Sequence, residues 1–276
     1  MSEISGANVL ITGGASGIGR LMALKVARLG ATVIVWDINQ ANLDATLEAL
    51  QSASGRSHHG AICDVSNRAD VNEQARRVIA DVGGIDILIN NAGVVSGQPL
   101  LEISDASIER SFGVNTLASF WTTRAFLPKM IEQNRGHVVT IASAAGMIGV
   151  SRLVDYSASK WAVVGFDESL RSELRTIAPA VQTTVVCPYY IDTGMFKGTK
   201  TRFSFLLPIL KEDAVAERTV AAIRRNKRRV TMPWLVHWIP ALRVLPVAFF
   251  DGVAGLLGIN TSMDKFVGRE DGKDKQ

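Results

Sequence analysis

The sequence predicts an α/β fold in which helices cover both faces of a doubly wound parallel sheet, the Rossmann-type architecture. Three features of the chain support this prediction. Short apolar runs alternate with longer amphipathic stretches, a glycine-rich turn follows the first apolar run, and several runs end on an acidic or small polar residue. Strands that are buried on both faces read as continuous apolar runs, and helical crossovers join parallel strands. The alternation therefore predicts repeated β-α-β units and a parallel sheet.

Length and composition are those of one globular unit. The chain has 276 residues, 47% of them apolar, which is enough to bury a sizeable core. A single domain of residues 1–276 is expected, with a Rossmann core and catalytic site in 1–195 and a substrate lid and amphipathic tail in 196–276. The first eight residues form no signal sequence, so the chain is expected to start inside its own fold.

The two cysteines, Cys63 and Cys187, each adjoin an apolar run that is typical of a buried strand. Reduced core thiols are therefore expected rather than a disulfide or a reactive nucleophile. Because free thiols suit a reducing compartment, a cytoplasmic location is expected, with peripheral contact at the inner face of a membrane as a further option.

The net charge of +4 is unevenly distributed along the chain. Residues 197–229 hold ten Lys or Arg against three Asp or Glu. No recognised binding motif accompanies the cluster, so no nucleic-acid partner is predicted. The adjacent His58 and His59 point in different directions on any regular element. They are expected in a loop, and no metal site is predicted.

The first apolar run, Asn8–Thr12, leads into a glycine turn and then an amphipathic helix that Gly30 closes. Glycines permit the tight turn and let backbone N–H groups approach a pyrophosphate, and the helix N-terminus adds partial positive charge. The alternative is an ordinary turn between a strand and a helix. The residues expected to contact a dinucleotide here are Gly13, Ser16, Gly17, Ile18 and Gly19.

Asp37 ends the second apolar run, eighteen residues after Gly19. A carboxylate at this place can accept hydrogen bonds from both ribose hydroxyls of an adenosine, and it repels a 2′-phosphate. Neither Ile38 nor Asn39 supplies a compensating cation, so NAD is favoured over NADP. The alternative role for Asp37 is to cap the following helix or turn.

The middle of the chain supplies two more strands with small or acidic residues at their ends. A helix at 40–51 precedes a short strand ending at Asp64 and Val65, where the acid is placed to accept from an adenine amino group. A helix at 67–81 then leads to a fourth strand, 85–89. Asn90 follows it, and the small residues after Asn90 let the chain pass under a cofactor. The contacts expected there are Asn91, Ala92 and Gly93.

A proton-transfer site is predicted around the fifth strand. A long helix capped at Ser104 carries Asn115 toward Pro128, and the strand at 136–141 delivers Ser143. Tyr156 and Lys160 lie four residues apart on a predicted helix and therefore share a face. A neighbouring cation favours the phenolate, so Tyr156 can exchange a proton with an alcohol or carbonyl, while Ser143 holds the reacting oxygen. The sixth strand, 181–186, ends at Cys187 and Pro188.

In combination, these motifs resemble those of the short-chain dehydrogenase/reductase family over roughly residues 5–195. The matching positions are the Thr-Gly-x-x-x-Gly-x-Gly of Thr12 to Gly19, the Asn-Asn-Ala-Gly of Asn90 to Gly93, the helix asparagine Asn115, Ser143, and the Tyr-x-x-x-Lys of Tyr156 and Lys160. The resemblance implies hydride transfer at the nicotinamide C4 with Tyr156 as acid/base. It further implies that Lys160 holds the nicotinamide ribose and lowers the pKa of the phenol, and that Asn115 anchors a water relay.

The sequence departs from the family after the sixth strand. Many members have Pro-Gly where this chain has Pro188 and Tyr189, so a side chain is expected at the substrate pocket. Ile191 and Thr193 can still meet the carboxamide. This substitution and the segment that follows resemble the branch containing retinol dehydrogenases and 17-beta-hydroxysteroid dehydrogenases. That branch typically carries an N-terminal membrane anchor, which is not recognisable here, so a soluble relative is expected.

The expected function is NAD(H)-dependent interconversion of a hydrophobic alcohol, of retinoid, steroid or long-chain type, and its carbonyl compound. One alternative is an NADPH-dependent 3-oxoacyl thioester ketoreductase, with the basic residues 224–229 as a docking patch for an acidic carrier. Another is a cofactor-sensing protein that lacks the chemistry. A homodimer or homotetramer is expected.

The stretch at 233–257 is apolar with helical spacing, which predicts an amphipathic tail. No uninterrupted apolar run reaches eighteen residues, so a transmembrane span is disfavoured. Three roles remain open for the tail: a helix in the headgroup region of an anionic membrane, a cover for the substrate pocket, or a subunit interface. The residues expected on its apolar face are Trp234, Leu235, Trp238, Ile239, Leu242, Leu245 and Phe249.

Overall fold

The computed structural model of the protein describes residues 2–268 and confirms the predicted parallel α/β fold. Met1 and 269–276, which the predicted domain includes, lie outside the described residues. The described part contains one seven-stranded sheet with strand order β3-β2-β1-β4-β5-β6-β7, and all neighbouring strands are parallel. The strands are β1 Asn8–Thr12, β2 Thr32–Asp37, β3 His59–Ile62, β4 Ile87–Asn90, β5 His137–Ile141, β6 Gln182–Pro188 and β7 Arg229–Met232.

Helices cover both faces of this sheet. The side chains of Asn39, Asn67 and Ser104 cap the helices that follow them by accepting backbone N–H groups of the first turn. Of these caps, the one at Ser104 was predicted from the sequence. The helices are α1 Gly17–Arg28, α2 Gln40–Ser54, α3 Arg68–Val82, α4 Asp105–Phe112, α5 Ala118–Glu132, α6 Val154–Ile177, α7 Glu212–Arg224, α8 Ile239–Leu242 and α9 Val247–Leu256.

Alternating residues of the strands divide the core between the two faces. On one face, Val9 and Ile11 of β1 pack with residues of α1 and α7. On the other face, Leu10 packs with residues of α3, α5 and α6. The largest fully buried side chain, Trp36, lies in this second cluster with its ring centroid 5.8 Å from that of Phe126. Because successive strand residues point to opposite faces, each strand buries both sets.

The sheet extends beyond the predicted limit of the core at residue 195. β7 pairs with β6, and α7 packs against α1, where Lys25 forms an ion pair with Asp213 at 2.7 Å. Residues 212–232, predicted as part of a lid, therefore belong to the core. The short strand was hidden in the sequence because it is at the sheet edge, where Arg229 is exposed and little apolar character is needed.

Two predicted helices differ from the observed ones. The helix predicted to run from Ser104 toward Pro128 continues to Glu132, because the buried Met130 anchors the turn after the proline in the core. It also changes to a π-helical turn at Gly113–Leu117. The tail is not one helix: a 3₁₀ turn at Trp234–Trp238 leads to α8, and the chain breaks again before Pro246, which precedes α9.

Of the two adjacent histidines, His58 lies in the loop between α2 and β3, as predicted, whereas His59 does not. His59 is the first residue of β3. His58 precedes it, and its Nδ1 accepts a hydrogen bond from the backbone N–H of Val33 at 3.1 Å. Burial lowers the pKa of His58. The pair therefore continues the sheet edge next to β2.

His137 is the first residue of β5, an interior strand that pairs with β4 and β6. Its ring is fully buried, with Nδ1 2.9 Å from Ser2 Oγ and Nε2 2.7 Å from Thr184 Oγ1. Thr184 donates its proton to the Lys227 carbonyl at 2.6 Å, so Nε2 is the donor toward Thr184. Burial lowers the pKa of His137 to about 4, because the charged imidazolium is poorly solvated there.

The buried imidazole makes folding stability depend on pH. The folded protein favours the neutral ring, so its contribution is complete above the unfolded pKa of about 6.5 and is lost as pH falls toward 4. We expect the free energy of unfolding of the wild type to fall by about 3 kcal/mol more than that of His137→Gln between pH 7 and pH 4. Urea unfolding at intervals of pH measures this difference.

Comparison of the wild type with His137→Gln cancels the contribution of other titratable groups to the pH dependence of stability. Asp167, whose pKa burial raises to about 6, acts in the opposite direction over part of the same range and is present in both. His59→Gln is the control, since His59 is partly exposed and lies on the edge strand β3. Equal pH dependence in the wild type and His137→Gln would contradict the assignment.

Candidate active site

One cavity of about 1100 Å³ opens at the carboxyl edge of the sheet. It runs from the turn after β1, past the ends of β4, β5 and β6, to the short helices of the tail. This is the place where open parallel sheets bind ligands, next to the point where strand order reverses between β1 and β4. All the predicted site residues except Asn115 line the cavity: Gly13, Ser16, Gly17, Ile18, Gly19, Asp37, Asp64, Val65, Asn91, Ala92, Gly93, Ser143, Tyr156, Lys160, Pro188, Tyr189, Ile191 and Thr193.

The glycine turn and the segment after β4 are in such close contact that side chains are excluded. Gly13 has φ +60°, and a Cβ there would lie 2.9 Å from Ala92 Cα. A Cβ on Gly19 would lie 2.3 Å from the Gly13 carbonyl oxygen. The Asn91 side chain closes the junction by donating to the carbonyls of Thr12 and Gly13, each at 2.9 Å. The two motifs therefore form one rigid floor for the cavity.

Asp37 lies at the end of β2 with its carboxylate at the cavity wall. One oxygen accepts the Ala15 N–H at 3.0 Å and the other accepts the Asn39 N–H at 3.1 Å. The capping role left open by the sequence is thus present. Each carboxylate oxygen keeps a second acceptor site, so capping and recognition of hydroxyl groups are compatible. The neighbouring wall is formed by Ile38, Asn39 and Asn42, which carry no charge.

β3 ends at Ile62, so Asp64 lies two residues beyond the strand, whereas the sequence predicted it at the strand end. Its carboxylate accepts both the N–H and the hydroxyl of Ser66, at 2.9 and 2.7 Å. The adjacent Val65 is buried. The pair forms the wall of the cavity on the side of β3.

Ser143, Tyr156 and Lys160 meet beyond the end of β5. Ser143 caps a 3₁₀ turn by accepting the Ala145 N–H at 3.1 Å, and its hydroxyl donates to the Pro188 carbonyl at 3.4 Å and interacts with the Tyr156 phenol. Lys160 is one helical turn after Tyr156 in α6, and its Nζ donates to the Ile141 carbonyl at 2.9 Å. Nζ lies 5.8 Å from the centroid of the Tyr156 ring. All three side chains are buried.

Burial sets the protonation of this group in the protein alone. It raises the pKa of Tyr156 to about 12, and the hydrogen bond with Ser143 opposes this only in part. It lowers the pKa of Lys160 to about 8. The sequence predicted that the cation lowers the phenol pKa, but desolvation is the larger effect and Nζ is bonded to a carbonyl rather than to the phenol. The phenol is therefore protonated at neutral pH.

Asn115 lies behind this group, in the π-helical turn between α4 and α5. Its Oδ1 accepts the Val94 N–H at 2.8 Å, and its Nδ2 donates to the Val94 carbonyl and to Ser159 Oγ, both at 3.0 Å. A Cβ on Gly93 would lie 3.3 Å from Asn115 Oδ1 and 3.6 Å from Lys160 Nζ. The asparagine therefore joins the segment after β4 to α6 beside Lys160. Single π turns inside helices are frequent at functional sites.

Beyond Tyr156 the cavity becomes an apolar chamber. Tyr189 lies in its wall, as predicted, and packs among three apolar clusters. The tail also covers this chamber, which is one of the three roles that the sequence left open, and its residues here follow a helical period: Phe250, Val253, Ala254 and Leu257. The remaining apolar lining is formed by Ile148, Val150, Leu153, Leu207, Leu235, Val236, Ile239, Leu242 and Ile259.

Both cysteines are free and buried, as predicted. Burial raises the pKa of each thiol to about 12, so neither is a thiolate near neutral pH. Cys63 touches the cavity wall, whereas Cys187 is in the strand that ends beside it.

Similarity to known proteins extends over nearly the whole chain. A family model described as short chain dehydrogenase matches residues 7–202. Short-chain dehydrogenase/reductase family 16C member 6 from Bos taurus is 43% identical over 97% of this chain and 85% of its own length. Human epidermal retinol dehydrogenase 2 is 43% identical over 96% of this chain and 86% of its own length. Human retinol dehydrogenase 10 is 39% identical with the same two coverages.

Solved structures give the same relationship. A short chain dehydrogenase/reductase from Burkholderia phymatum in complex with NAD has a TM-score of 0.80 and 30% identity, covering 88% of this chain and 95% of the other. A metagenomic short-chain oxidoreductase in complex with NADP has a TM-score of 0.70 and 29% identity, covering 83% and 96%. Fold, cavity position and sequence identity therefore agree with the resemblance carried by the motifs. The chain belongs to the short-chain dehydrogenase family of oxidoreductases and, within that family, resembles the retinol dehydrogenase branch.

Proposed function

We propose that the protein is an NAD(H)-dependent oxidoreductase that interconverts a hydrophobic alcohol, of retinoid, steroid or long-chain type, and its aldehyde or ketone. The observation that carries this proposal is the single cavity. It joins a glycine turn and a carboxylate at one end to Ser143, Tyr156 and Lys160 in the middle and an apolar chamber at the other end. An apolar chamber suits a substrate with little polar surface. The names of the curated relatives agree with an alcohol of the retinol type.

The floor of the cavity fits a nicotinamide dinucleotide. The close approach of Gly13 and Gly19 to the segment after β4 leaves backbone N–H groups at the start of α1 open to a pyrophosphate. The Asp37 carboxylate is placed to accept from adenosine ribose hydroxyls and to repel a 2′-phosphate, which favours NAD over NADP. The further contacts are assigned to Ser16, Gly17, Ile18, Asp64, Val65, Asn91, Ala92, Gly93, Pro188, Ile191 and Thr193.

When bound, the nicotinamide supplies a carbon that accepts or gives up a hydride. Tyr156 handles the proton at the substrate oxygen: its protonated phenol donates during carbonyl reduction, and its phenolate accepts during alcohol oxidation. Ser143 holds that oxygen with its hydroxyl, and Lys160 supplies a positive charge in a site shielded from water. Asn115 fixes the position of the segment beside Lys160, where a water relay can be anchored.

The thioester ketoreductase is the weaker alternative. Its carrier would need a basic docking patch near the cavity mouth. The basic residues 224–229 precede β7 at the end where Arg229 pairs with Val185, whereas the cavity adjoins the other end, where Met232 pairs with Pro188. The basic patch thus lies at the amino end of β7, and the cavity lies at its carboxyl end. A cofactor-sensing protein without chemistry has no need for the buried Ser143, Tyr156 and Lys160 group.

We also propose peripheral contact of the tail with an anionic membrane. No helix of residues 2–268 is long and apolar enough to cross a bilayer. Residues 193–211, which connect β6 to α7 and which we call the lid, carry four basic and no acidic residues. Arg202 of the lid packs against Gly258 just after α9. Exposed apolar groups beside cations suit the headgroup region. The outer tail face consists of side chains between 52% and 75% exposed: Trp234, Trp238, Val247, Phe249 and Leu256.

Assembly as a homodimer or homotetramer stays a prediction. Apolar residues exposed on α5 and α6 would suit a subunit contact: Phe120 and Trp161 are partly exposed, and Phe120 packs against Phe166 with centroids 4.6 Å apart.

Replacing Tyr156 with Phe tests the proton-transfer role. We expect kcat to fall by roughly 10²–10⁴-fold, the usual contribution of a general acid or base, because only the transferable proton is lost. NADH binding, followed by fluorescence, should be unchanged. Tyr189→Phe is the control for removal of a phenol from the same cavity and should retain most of kcat. Retention by Tyr156→Phe of more than about a tenth of wild-type kcat, roughly 1.4 kcal/mol of barrier, would remove Tyr156 from this role.

Asp37 is expected to set cofactor choice. The double substitution Asp37→Ser with Ile38→Arg should shift preference from NAD toward NADP, because it removes the repelling charge and adds a cation for the 2′-phosphate. The measurement is kcat/KM with each cofactor. Asp64→Asn, which removes a charge on the β3 side of the cavity, should leave the preference unchanged. A wild type that already prefers NADP contradicts the charge argument.

Flotation with anionic vesicles tests the membrane contact. Wild-type protein should float at low salt and less at high salt, and Val247→Ser with Phe249→Ser should abolish most binding because the apolar anchor is removed. Ile177→Ser is a matched control, since Ile177 is similarly exposed at the far end of α6. If no wild-type protein floats at low salt, the outer tail face is left as part of a lid or a subunit contact.

A further inference from the structure

The end of the described chain returns to the active site. We call residues Ile259–Gly268 the C-terminal strap. Its backbone is hydrogen-bonded to the start of the lid: Lys200 N–H donates to the Ser262 carbonyl at 3.0 Å, and Val267 N–H donates to the Lys197 carbonyl at 2.9 Å. Met263 of the strap is buried in one apolar cluster with Tyr156. The strap therefore forms part of the wall behind the proposed acid/base.

One side-chain hydrogen bond ties the strap to the core. The Tyr190 phenol oxygen lies 2.8 Å from Ser262 Oγ, and both residues are buried. Ser262 donates its only hydroxyl proton to the Ile259 carbonyl at 2.7 Å. Tyr190 must then be the donor toward Ser262. Loss of either hydroxyl leaves a buried polar group without its partner, which is costly.

Tyr190 also reaches Tyr156 through an aromatic chain. Its ring meets Phe196 edge-on with centroids 5.1 Å apart, and Phe196 meets Tyr156 edge-on at 5.7 Å. Edge-to-face pairs of this kind favour a defined orientation of each ring. The Tyr190 backbone is fixed as well, because its carbonyl accepts the Leu210 N–H at 2.8 Å. Tyr190 therefore joins the lid, the strap and the proposed catalytic ring.

The strap has a second anchor, the Phe266 ring, which fits only because its neighbour Gly97 has no side chain. The Phe266 ring lies against Gly97, where an added Cβ would be 2.0 Å from the ring. Arg152 and Asp264 add only a long, exposed ion pair at 3.8 Å. Within residues 2–268, the buried side-chain hydrogen bond between Tyr190 and Ser262 thus joins the strap to the chain that follows β6.

We propose that Tyr190 is a positioning residue for the oxidoreductase reaction, an inference that rests on the proposed function. Its phenol holds Ser262, and the strap then keeps Met263 in the apolar cluster that contains Tyr156, while Phe196 packs on the Tyr156 ring from the lid. The acid/base is thereby held in one orientation and shielded from water. Small displacements of a catalytic group lower the rate steeply. Tyr190 itself transfers no proton.

The test combines three single variants and one double variant. Tyr190→Phe and Ser262→Ala should each lower kcat by about tenfold to a hundredfold, because the Tyr156 ring is less well oriented. The double variant should be no slower than the slower single variant, since both changes break one bond. Ser262→Thr keeps the hydroxyl and should restore most of kcat. Active sites are counted by bound NADH, and assays are run well below the melting temperature, so that loss of folded protein does not lower the measured kcat.

KM for the cofactor separates positioning from general damage. The hydrogen bonds of Ser262 go to Tyr190, Ile259 and Lys200, none of which is assigned to the cofactor, so KM for NAD should stay within about twofold of wild type while kcat falls. Parallel increases in KM for NAD, additive losses in the double variant, or an inactive Ser262→Thr would each overturn the proposal. So would full kcat in Tyr190→Phe.

A readout independent of catalysis distinguishes this inference from the proposed function. Hydrogen exchange should show faster exchange of the Lys200 and Val267 amides in Tyr190→Phe, with the amides of β1 and β5 unchanged. Unchanged exchange at Lys200 and Val267 would overturn the proposal that Tyr190 holds the C-terminal strap, whatever the activity of the variant. If the wild type oxidises none of the retinoid, steroid and long-chain alcohols offered, the proposed function fails, whereas the exchange result still decides whether Tyr190 holds the strap.

Discussion

The junction between the glycine turn and the segment after β4 is the constraint on which the site depends. Asn91 donates to two carbonyls of the turn, and the Thr12 hydroxyl accepts the N–H groups of Asn91 and Ala92 at 3.0 and 3.1 Å. These bonds hold two neighbouring strand ends at a distance that only glycines at 13 and 19 allow. A larger residue at either position would separate the strands and disturb the floor. The position of Gly93, and through it that of Asn115 and Lys160, follows from the same junction.

Burial has opposite effects on the two ionisable groups of the proposed centre. It keeps Tyr156 protonated and brings the pKa of Lys160 to about 8, within reach of neutral pH. The Ile141 carbonyl, which accepts from the ammonium, compensates part of the cost of burying that charge. A group arranged in this way keeps its proton at neutral pH and needs further positive charge nearby before it forms the phenolate that can accept one. The protein alone therefore favours the state that serves carbonyl reduction.

The sequence predicted a parallel sheet, the positions of its first six strands along the chain and the residues around the cavity, because those features depend on local patterns. Apolar runs mark buried strands, and each of the glycine, Asn-Asn-Ala-Gly and Tyr-x-x-x-Lys motifs lies within a few consecutive residues of the chain. The edge strand β7 was missed since an exposed strand with Arg229 needs no such run. The π turn at Asn115 was also missed, because it is fixed by contacts of Asn115 with Val94 and Ser159, which are distant in sequence. The fall in the phenol pKa was predicted from the charge of Lys160 alone, without the burial that outweighs it.

The two ends of the cavity are built by different means, and this difference bears on how specificity can change. The floor that fits a dinucleotide uses backbone groups of strand ends, where almost any added side chain would collide. The apolar chamber is walled by short segments of the lid and tail, in which one side of α9 lines the chamber and the other is exposed. A substitution on the inner side, such as at Phe250 or Leu257, changes the volume of the chamber without touching the floor. Because Met263 and Tyr190 lie between the two ends, they can transmit a change of chamber shape to Tyr156, so substrate preference and rate are expected to be coupled through the strap.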